Sequence, residues 1–198
     1  MVVLVSFTTF AFAGGDQNQN RHDGELGEGP TNQVRIDNPN QDALEVRVLT
    51  NEQKLTIHEI YEEEKVARDV YITLEKLYPK ENTFANIQLA EQTHMNAVRK
   101  LCVKYAIEIP ELDQAVGVFE LETIGNLYNF FVEKGEISLL DALTAGKDIE
   151  NMDMDDLEAA KEGMPKDVQN VFSNLMIGSS YHLTAFFNAI ARVESLND

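Results

Sequence analysis

The chain is poor in cysteine, proline, glycine and positive charge, and each shortage excludes something. Cys102 is the single cysteine in 198 residues, so no disulfide can form within the chain. It falls in an apolar helical stretch and reads as a small core hydrophobe. Sixteen Lys and Arg face 34 Asp and Glu, a formal net charge of −18. That balance excludes a nucleic-acid partner, since nothing is available to neutralise phosphates. It favours solubility and draws cations toward the surface. Five prolines and 11 glycines fall mostly outside the periodic segments, which leaves room for long unbroken helices. Long apolar runs are also missing. The run VVLVSFTTFAFA, residues 2–13, is too short to cross a bilayer, which takes about 20 residues. It ends in Ala11-Phe12-Ala13 before Gly14-Gly15, the pattern of a signal-peptide core with its cleavage site, although no Lys or Arg precedes it. Residues 1–14 are therefore expected to be a signal peptide. The mature chain is expected to be exported to the periplasm, cell envelope or exterior, with no transmembrane segment.

Residues 15–50 are polar and aperiodic, with too little apolar surface to offset the entropy of ordering. They read as a flexible linker. Residues 51–198 read as one helical domain. The first long helix is expected from about 52 to 78, stopping at Pro79, and the second from about 83 to 106, capped by Asn82 or Thr83. A connection of some 30 residues follows. It carries a short helix, about 120 to 133, with an apolar stripe of Leu121, Ile124, Leu127, Tyr128 and Phe131. The third long helix is expected from Ser138 to about 161, with NMDMDD as a place where Asp153 or Asp155 could cap a new turn. Gly163 and Pro165 end it, and the fourth runs from about 167 to 195. Short 1–2 and 3–4 loops with a long middle connection give a four-helix bundle with one crossover, as in ferritin-like folds.

Every third and fourth residue of a bundle helix lies on the core seam. The first seam reads Ile57, Ile60, Glu64, Ala67, Tyr71, Leu74, and the second Ile87, Glu91, His94, Val98, Leu101, Tyr105. The third reads Leu143, Gly146, Glu150, Asp153, Leu157, and the fourth Leu175, Ser179, His182, Phe186, Ala189. Each is otherwise apolar, aromatic or small, and each is interrupted mid-helix by carboxylate, imidazole or hydroxyl. At ~1.5 Å per residue the interruptions fall ~17–23 Å from the helix turns, which suggests one polar layer. A lone seam histidine is often a satisfied core residue, and Glu62-Glu63-Glu64 alone would read as a solvated face. Four interruptions at one height are harder to dismiss.

Buried carboxylates at such a layer repel one another unless something positive lies between them. Lys65 and Arg68 are expected on the rim. One or two divalent metals would resolve the repulsion. Carboxylate with imidazole and without thiolate suits iron, manganese or zinc. Glu91 and His94, three apart, face the same way and form the most specific element.

At these residues the chain resembles the ferritin-like superfamily, in particular its rubrerythrin branch. EKVARDVY, residues 64–71, is similar to the first-helix pattern E-x-x-A-R-N-x-Y, with Asp69 for Asn. Glu91-x-x-His94 is similar to the second-helix motif. AGKDIE, residues 145–150, is similar to A-G-E-x-x-E with Lys147 for the first Glu. Ser179-x-x-His182 stands where the fourth helix carries E-x-x-H. From about 55 to 193 the chain more closely resembles a ferritin-like family known only as a domain of unknown function. No C-x-x-C pair is present, so the rubredoxin-type electron-transfer domain is absent.

The resemblance implies a non-haem, di-iron-type centre with Glu64, Glu91, His94, Glu150 and His182 as ligands, and Glu91 bridging two metals. Asp153 is a substitute for the carboxylate that Ser179 lacks, and a one-metal site is the other arrangement. The implied chemistry is oxidation of Fe(II) by dioxygen or peroxide, in a monomer or homodimer. Tyr61, Tyr71 and Tyr181 are candidate redox or hydrogen-bonding groups, or packing. Two alternatives stay open: a non-catalytic metal-binding or scavenging envelope protein, and a metal-free scaffold whose polar layer is held by hydrogen bonds.

Overall fold

The structure, a computed structural model, describes residues 48–109 and 115–196. The expected leader, nearly all of the expected linker, and Pro110 lie outside the described residues. The described chain is all-helical, with five helices and no strand: α1 Asn51–Leu77, α2 Asn82–Lys104, α3 Glu122–Glu136, α4 Leu139–Ala160 and α5 Lys166–Glu194. None of them is long and apolar enough to cross a membrane.

The helix starts follow from local chemistry. Thr50 caps α1 by accepting from the Gln53 N–H, while the Gln53 side chain accepts from the Thr50 N–H, a reciprocal capping box. Ser138 caps α4 through the Asp141 N–H. For α2 the cap is Glu81 and not the expected Asn82 or Thr83. The Glu81 carboxylate accepts from the Thr83 backbone and hydroxyl and also pairs with Arg192 of α5 at 2.6 Å. A short Asn or Thr could satisfy the helix end but could not reach α5. The expected interruption at NMDMDD does not occur, and α4 is continuous. Asp153 is drawn into the interior by the hydroxyl of Ser179, 2.6 Å away, so it has no part in a cap.

Helix α1 packs on α2, α3 and α4, while α5 packs on α4 and α2. The four long helices therefore close a ring, α1–α2–α5–α4, and α3 lies against its α1/α4 flank. Two apolar clusters fill the interior. One gathers Val70, Leu74, Phe84, Ile87, Leu143, Ile149 and Phe186. The other gathers Ile57, Ile60, Met95, Val98, Leu157, Phe172 and Leu175. On each long helix the break between clusters falls at the residues that interrupt the seam.

Lys65 and Arg68 are not on the rim. Both are buried: Lys65 Nζ lies 3.4 Å from the Ala115 carbonyl and over the Phe119 ring, while Arg68 Nη1 donates to Gln92 of α2 at 2.6 Å. Asp69 is fully buried and holds them together. Lys65 Nζ donates to one of its oxygens, and Arg68 donates to the other from Nε at 2.9 Å and Nη2 at 2.6 Å. The Gly117 N–H donates to the same carboxylate at 3.0 Å. Gly117 has φ +82° and sits against the Tyr128 ring, a place where only glycine fits without strain. Glu62, also buried, accepts from the N–H groups of Glu120 and Leu121 at 2.8 and 2.9 Å. Two carboxylates of YEEEKVARD thus pin the crossover onto α1.

Removing Asp69 leaves two buried cations without their partner, a change that costs about 3–5 kcal/mol. Asp69→Ala is therefore expected to lower unfolding free energy by that amount in urea titrations, measured by far-ultraviolet circular dichroism. A loss under about 1 kcal/mol would show that the network carries little.

Candidate metal centre

Between the two apolar clusters, the ring of helices brings together every residue expected at the site. Glu64 comes from α1, Glu91 and His94 from α2, Glu150 and Asp153 from α4, and Ser179 and His182 from α5. The carboxylates of Glu64, Glu91 and Glu150 are at most 2% exposed, while the imidazoles of His94 and His182 are 12% and 11% exposed. The heads of the two histidines stack, ring centroids 5.2 Å apart.

Glu91 occupies the centre. Its Oε2 lies 2.9 Å from His94 Nδ1, and its Oε1 lies 2.8 Å from His182 Nδ1. Each histidine nitrogen faces a second carboxylate: His94 Nδ1 is 3.1 Å from Glu64 Oε2, and His182 Nδ1 is 3.3 Å from Glu150 Oε2. The arrangement is two matching halves, Glu64 with His94 and Glu150 with His182, sharing Glu91.

One half is joined by a hydrogen bond, His94 Nδ1 with Glu64 Oε2 at 3.1 Å, but other atoms of the layer are left without one. Glu64 Oε1, Glu91 Oε1 and His182 Nδ1 are buried without a hydrogen-bond partner. The last two lie 2.8 Å apart. Buried polar atoms are nearly always satisfied, and three exceptions in one place mark a spot shaped for something else. One ligand atom each from Glu91, His94 and His182 lies within 4.8 Å of the others. Metal bonds of about 2.1 Å at right angles place neighbouring ligand atoms about 3.0 Å apart. The four carboxylate–imidazole distances bracket that value, so the residues present fit a divalent metal.

Electrostatics describe the same frustration. Burial drives the Glu64 carboxyl up to about 8, with the hydrogen bond to His94 opposing and the Glu91 charge adding. Burial and the Glu91 charge push Glu150 up to about 7. Burial raises Asp153 well above its ordinary value, and the charge of Glu64 adds to it. Glu91 goes the other way: burial is outweighed by the two histidines, which hold it down at about 2. Burial alone would lower His94, but Glu64 and Glu91 push it up to about 11. The carboxylates of Glu150 and Glu91 likewise take His182 up to about 9 against its burial.

Neighbours orient this layer. The Tyr71 hydroxyl donates to Glu150 Oε1 at 2.6 Å, and burial raises its own pKa well above 10. Tyr71, Phe84 and Phe186 form an aromatic lid over the Glu150 side, with centroids 5.3–6.3 Å apart. Gly146 makes room for it, since a Cβ there would fall 2.3 Å from the Phe186 ring. Of the other tyrosines, Tyr61 packs in the second apolar cluster and Tyr181 is exposed. Lys147 turns away and pairs with Asp148 at 3.3 Å.

Residues 52–195 match a family described as an uncharacterized protein domain, DUF2202. The chain belongs to that family. An uncharacterized protein of Methanocaldococcus jannaschii, MJ0754, is 42% identical to this DUF2202 chain over 145 residues, 73% of this chain and 78% of the relative. The crystal structure of hypothetical protein MJ0754 from Methanococcus jannaschii shares its fold with a TM-score of 0.72 at 40% identity, covering 77% of this chain and 87% of that one.

One residue of the DUF2202 site gave no chemical signal in the sequence. Gly178 lies on α5 where a Cβ would come within 2.4 Å of His94 Nε2. Its missing side chain is what lets the imidazole turn Nδ1 toward the carboxylates. In Gly178→Ala, His94 is expected to swing away from Glu64 and Glu91. Its pKa, followed by imidazole NMR in metal-free protein, should fall from its raised value toward the ordinary ~6.5. An unchanged titration would show that the glycine is not needed.

Proposed function

We propose that this DUF2202 domain is a ferritin-like four-helix bundle whose central layer is a carboxylate–histidine metal centre for iron, working in the oxidation of Fe(II) by peroxide or dioxygen. The observation that carries the reading is the buried convergence of Glu91, His94 and His182, one ligand atom from each lying within 4.8 Å of the others, with Glu64 Oε1, Glu91 Oε1 and His182 Nδ1 lacking a hydrogen-bond partner. Imidazole and carboxylate donors without thiolate suit iron, with manganese or zinc able to compete.

Glu64, His94 and Glu91 would hold one ion, and Glu150, His182 and the same Glu91 would hold a second. Ser179 supplies no carboxylate of its own, and its hydroxyl instead engages Asp153 Oδ2, which supports Asp153 as the replacement. Bound as a ferrous pair, iron would supply the two electrons that, with two protons, reduce peroxide to water. The chain's own work is positioning. Tyr71 fixes Glu150 by donating to Oε1, leaving Oε2 free to face His182. Gly178 admits His94. Tyr71, Phe84 and Phe186 keep water off one side. The apolar run before Gly14 supports an exported location for this activity.

Metal storage without turnover is the competing reading. It is favoured by the near-complete burial of the carboxylates, which leaves the histidine side as the more exposed approach.

The test is an anaerobic titration of metal-free protein with Fe(II), followed by peroxide or dioxygen. Wild type should bind two equivalents and develop a near-ultraviolet ferric absorbance, with turnover when Fe(II) is in excess. Glu91→Ala should lose binding in both halves. Affinity should weaken as pH falls, because His94 and His182, made more basic by their carboxylates, hold protons that a metal must displace. Stoichiometric binding without turnover would leave the storage reading. No binding of Fe(II), Mn(II) or Zn(II) would remove the metal centre altogether.

A further inference from the structure

The outward faces of α2 and α5 differ from the rest of the surface. A quarter of all residues are charged, yet residues 170–191 of α5 contain none apart from the buried His182. Residues 82–98 of α2 contain only the inward Glu91 and His94. What these stretches present to solvent is Asn, Thr, Ser and large apolar side chains. Leu89 is 70% exposed, Ile177 55% and Tyr181 71%. On α2, Leu89, Thr93 and Asn96 recur at steps of four and three. On α5, Ile177, Tyr181 and Thr184 do the same. Each triplet therefore forms one stripe pointing away from the interior. The two helices are neighbours, so the stripes run along adjacent helices. The opposite flank is different: α3 covers it, and α3 and α4 expose Glu122, Glu133, Asp155 and Glu158.

We propose that this α2/α5 face is the contact surface between two copies of the chain. Charge selects the occupant. Two molecules of net charge −18 repel wherever their acidic surfaces meet, and a like-charge juxtaposition costs several kcal/mol. Contact between copies is confined to a face that carries no charge, and this is such a face. A basic partner would find no carboxylate here to pair with, and an acidic one no cation. Size is adequate. The uncharged run of α5 is ~33 Å long and two helices are ~20 Å wide. The resulting ~650 Å² of projected area approaches the ~800 Å² per partner of a standard interface. Stripes at three- and four-residue steps supply the ridges and grooves by which helices pack, and a two-fold contact would set each stripe against its counterpart. His94 and His182 belong to these same two helices, so pairing would cover the more exposed side of the polar layer.

The surface carries this proposal independently of any metal, so the test is run with chelator present. Sedimentation equilibrium of the full chain should give twice the 22.3 kDa chain mass. Leu89→Glu and Tyr181→Glu, both at exposed helical positions, should each give the monomer with unchanged circular dichroism. Asn151→Glu on the exposed side of α4 should remain dimeric. A monomeric wild type at tens of micromolar overturns the proposal, as does a dimer that survives both α2 and α5 substitutions. A monomer that instead co-sediments with phosphatidylcholine vesicles would give the face to a membrane surface.

Discussion

A belt of carboxylates and imidazoles held between two apolar clusters is the constraint on which the rest of this structure depends. Separately, each of these groups would be expelled from an interior of this kind. Together they balance: an ionised Glu91 between two basic histidines, with Glu64 and Glu150 on the outside. The balance is electrostatic but not geometric, because the charges neutralise while several lone pairs remain unsatisfied. Apolar packing above and below supplies the stability, and the belt is what that packing has to carry.

The supporting residues make sense as answers to this load. Small residues stand where large ones would close the space: Gly146 beneath Phe186 and Gly178 beside His94. Polar side chains next to the belt spend their hydrogen bonds on its members, Tyr71 on Glu150 and Ser179 on Asp153. Farther out, α1 is buried along nearly its whole middle, and Glu62 and Asp69 tie the crossover down over it. That anchoring holds the helix that carries Glu64 from both sides.

Much of this was legible in the sequence, for a definable reason. The helices are long, punctuated by Pro79, Gly163 and Pro165, and amphipathic, so their limits and seams could be placed to within about two residues. Glu64, Glu91, Glu150, Asp153, Ser179 and His182 all lie on the faces expected of them, and the short helix of the crossover, expected from about 120 to 133, runs from Glu122 to Glu136 with Leu121 as its N-cap. What periodicity could not show was tertiary chemistry. Lys65 and Arg68 occupy angular positions that would be exposed on an isolated four-helix ring. Lys65 is buried under Ala115 and Phe119, and Arg68 against Gln92 of α2, and nothing in the period of α1 announces either contact. Glu81 outcompetes Asn82 as a cap because it also reaches Arg192, a residue 111 positions away. Gly178 acts by the absence of a side chain, which periodicity does not register. Of the two roles open to Asp153, a cap within NMDMDD and a place on the seam, the structure shows the seam, where Ser179 donates to it.

The family match covers residues 52–195 and MJ0754 is 42% identical over 145 residues, so the belt is a question about the DUF2202 domain as well as about one chain. The most direct test is anomalous X-ray scattering from crystals of this protein soaked in Mn(II) or Fe(II). The account predicts two anomalous peaks flanking the Glu91 carboxylate, one beside Glu64 and His94 and the other beside Glu150 and His182. A map without a peak at Glu91, or with metal bound only elsewhere, would contradict it.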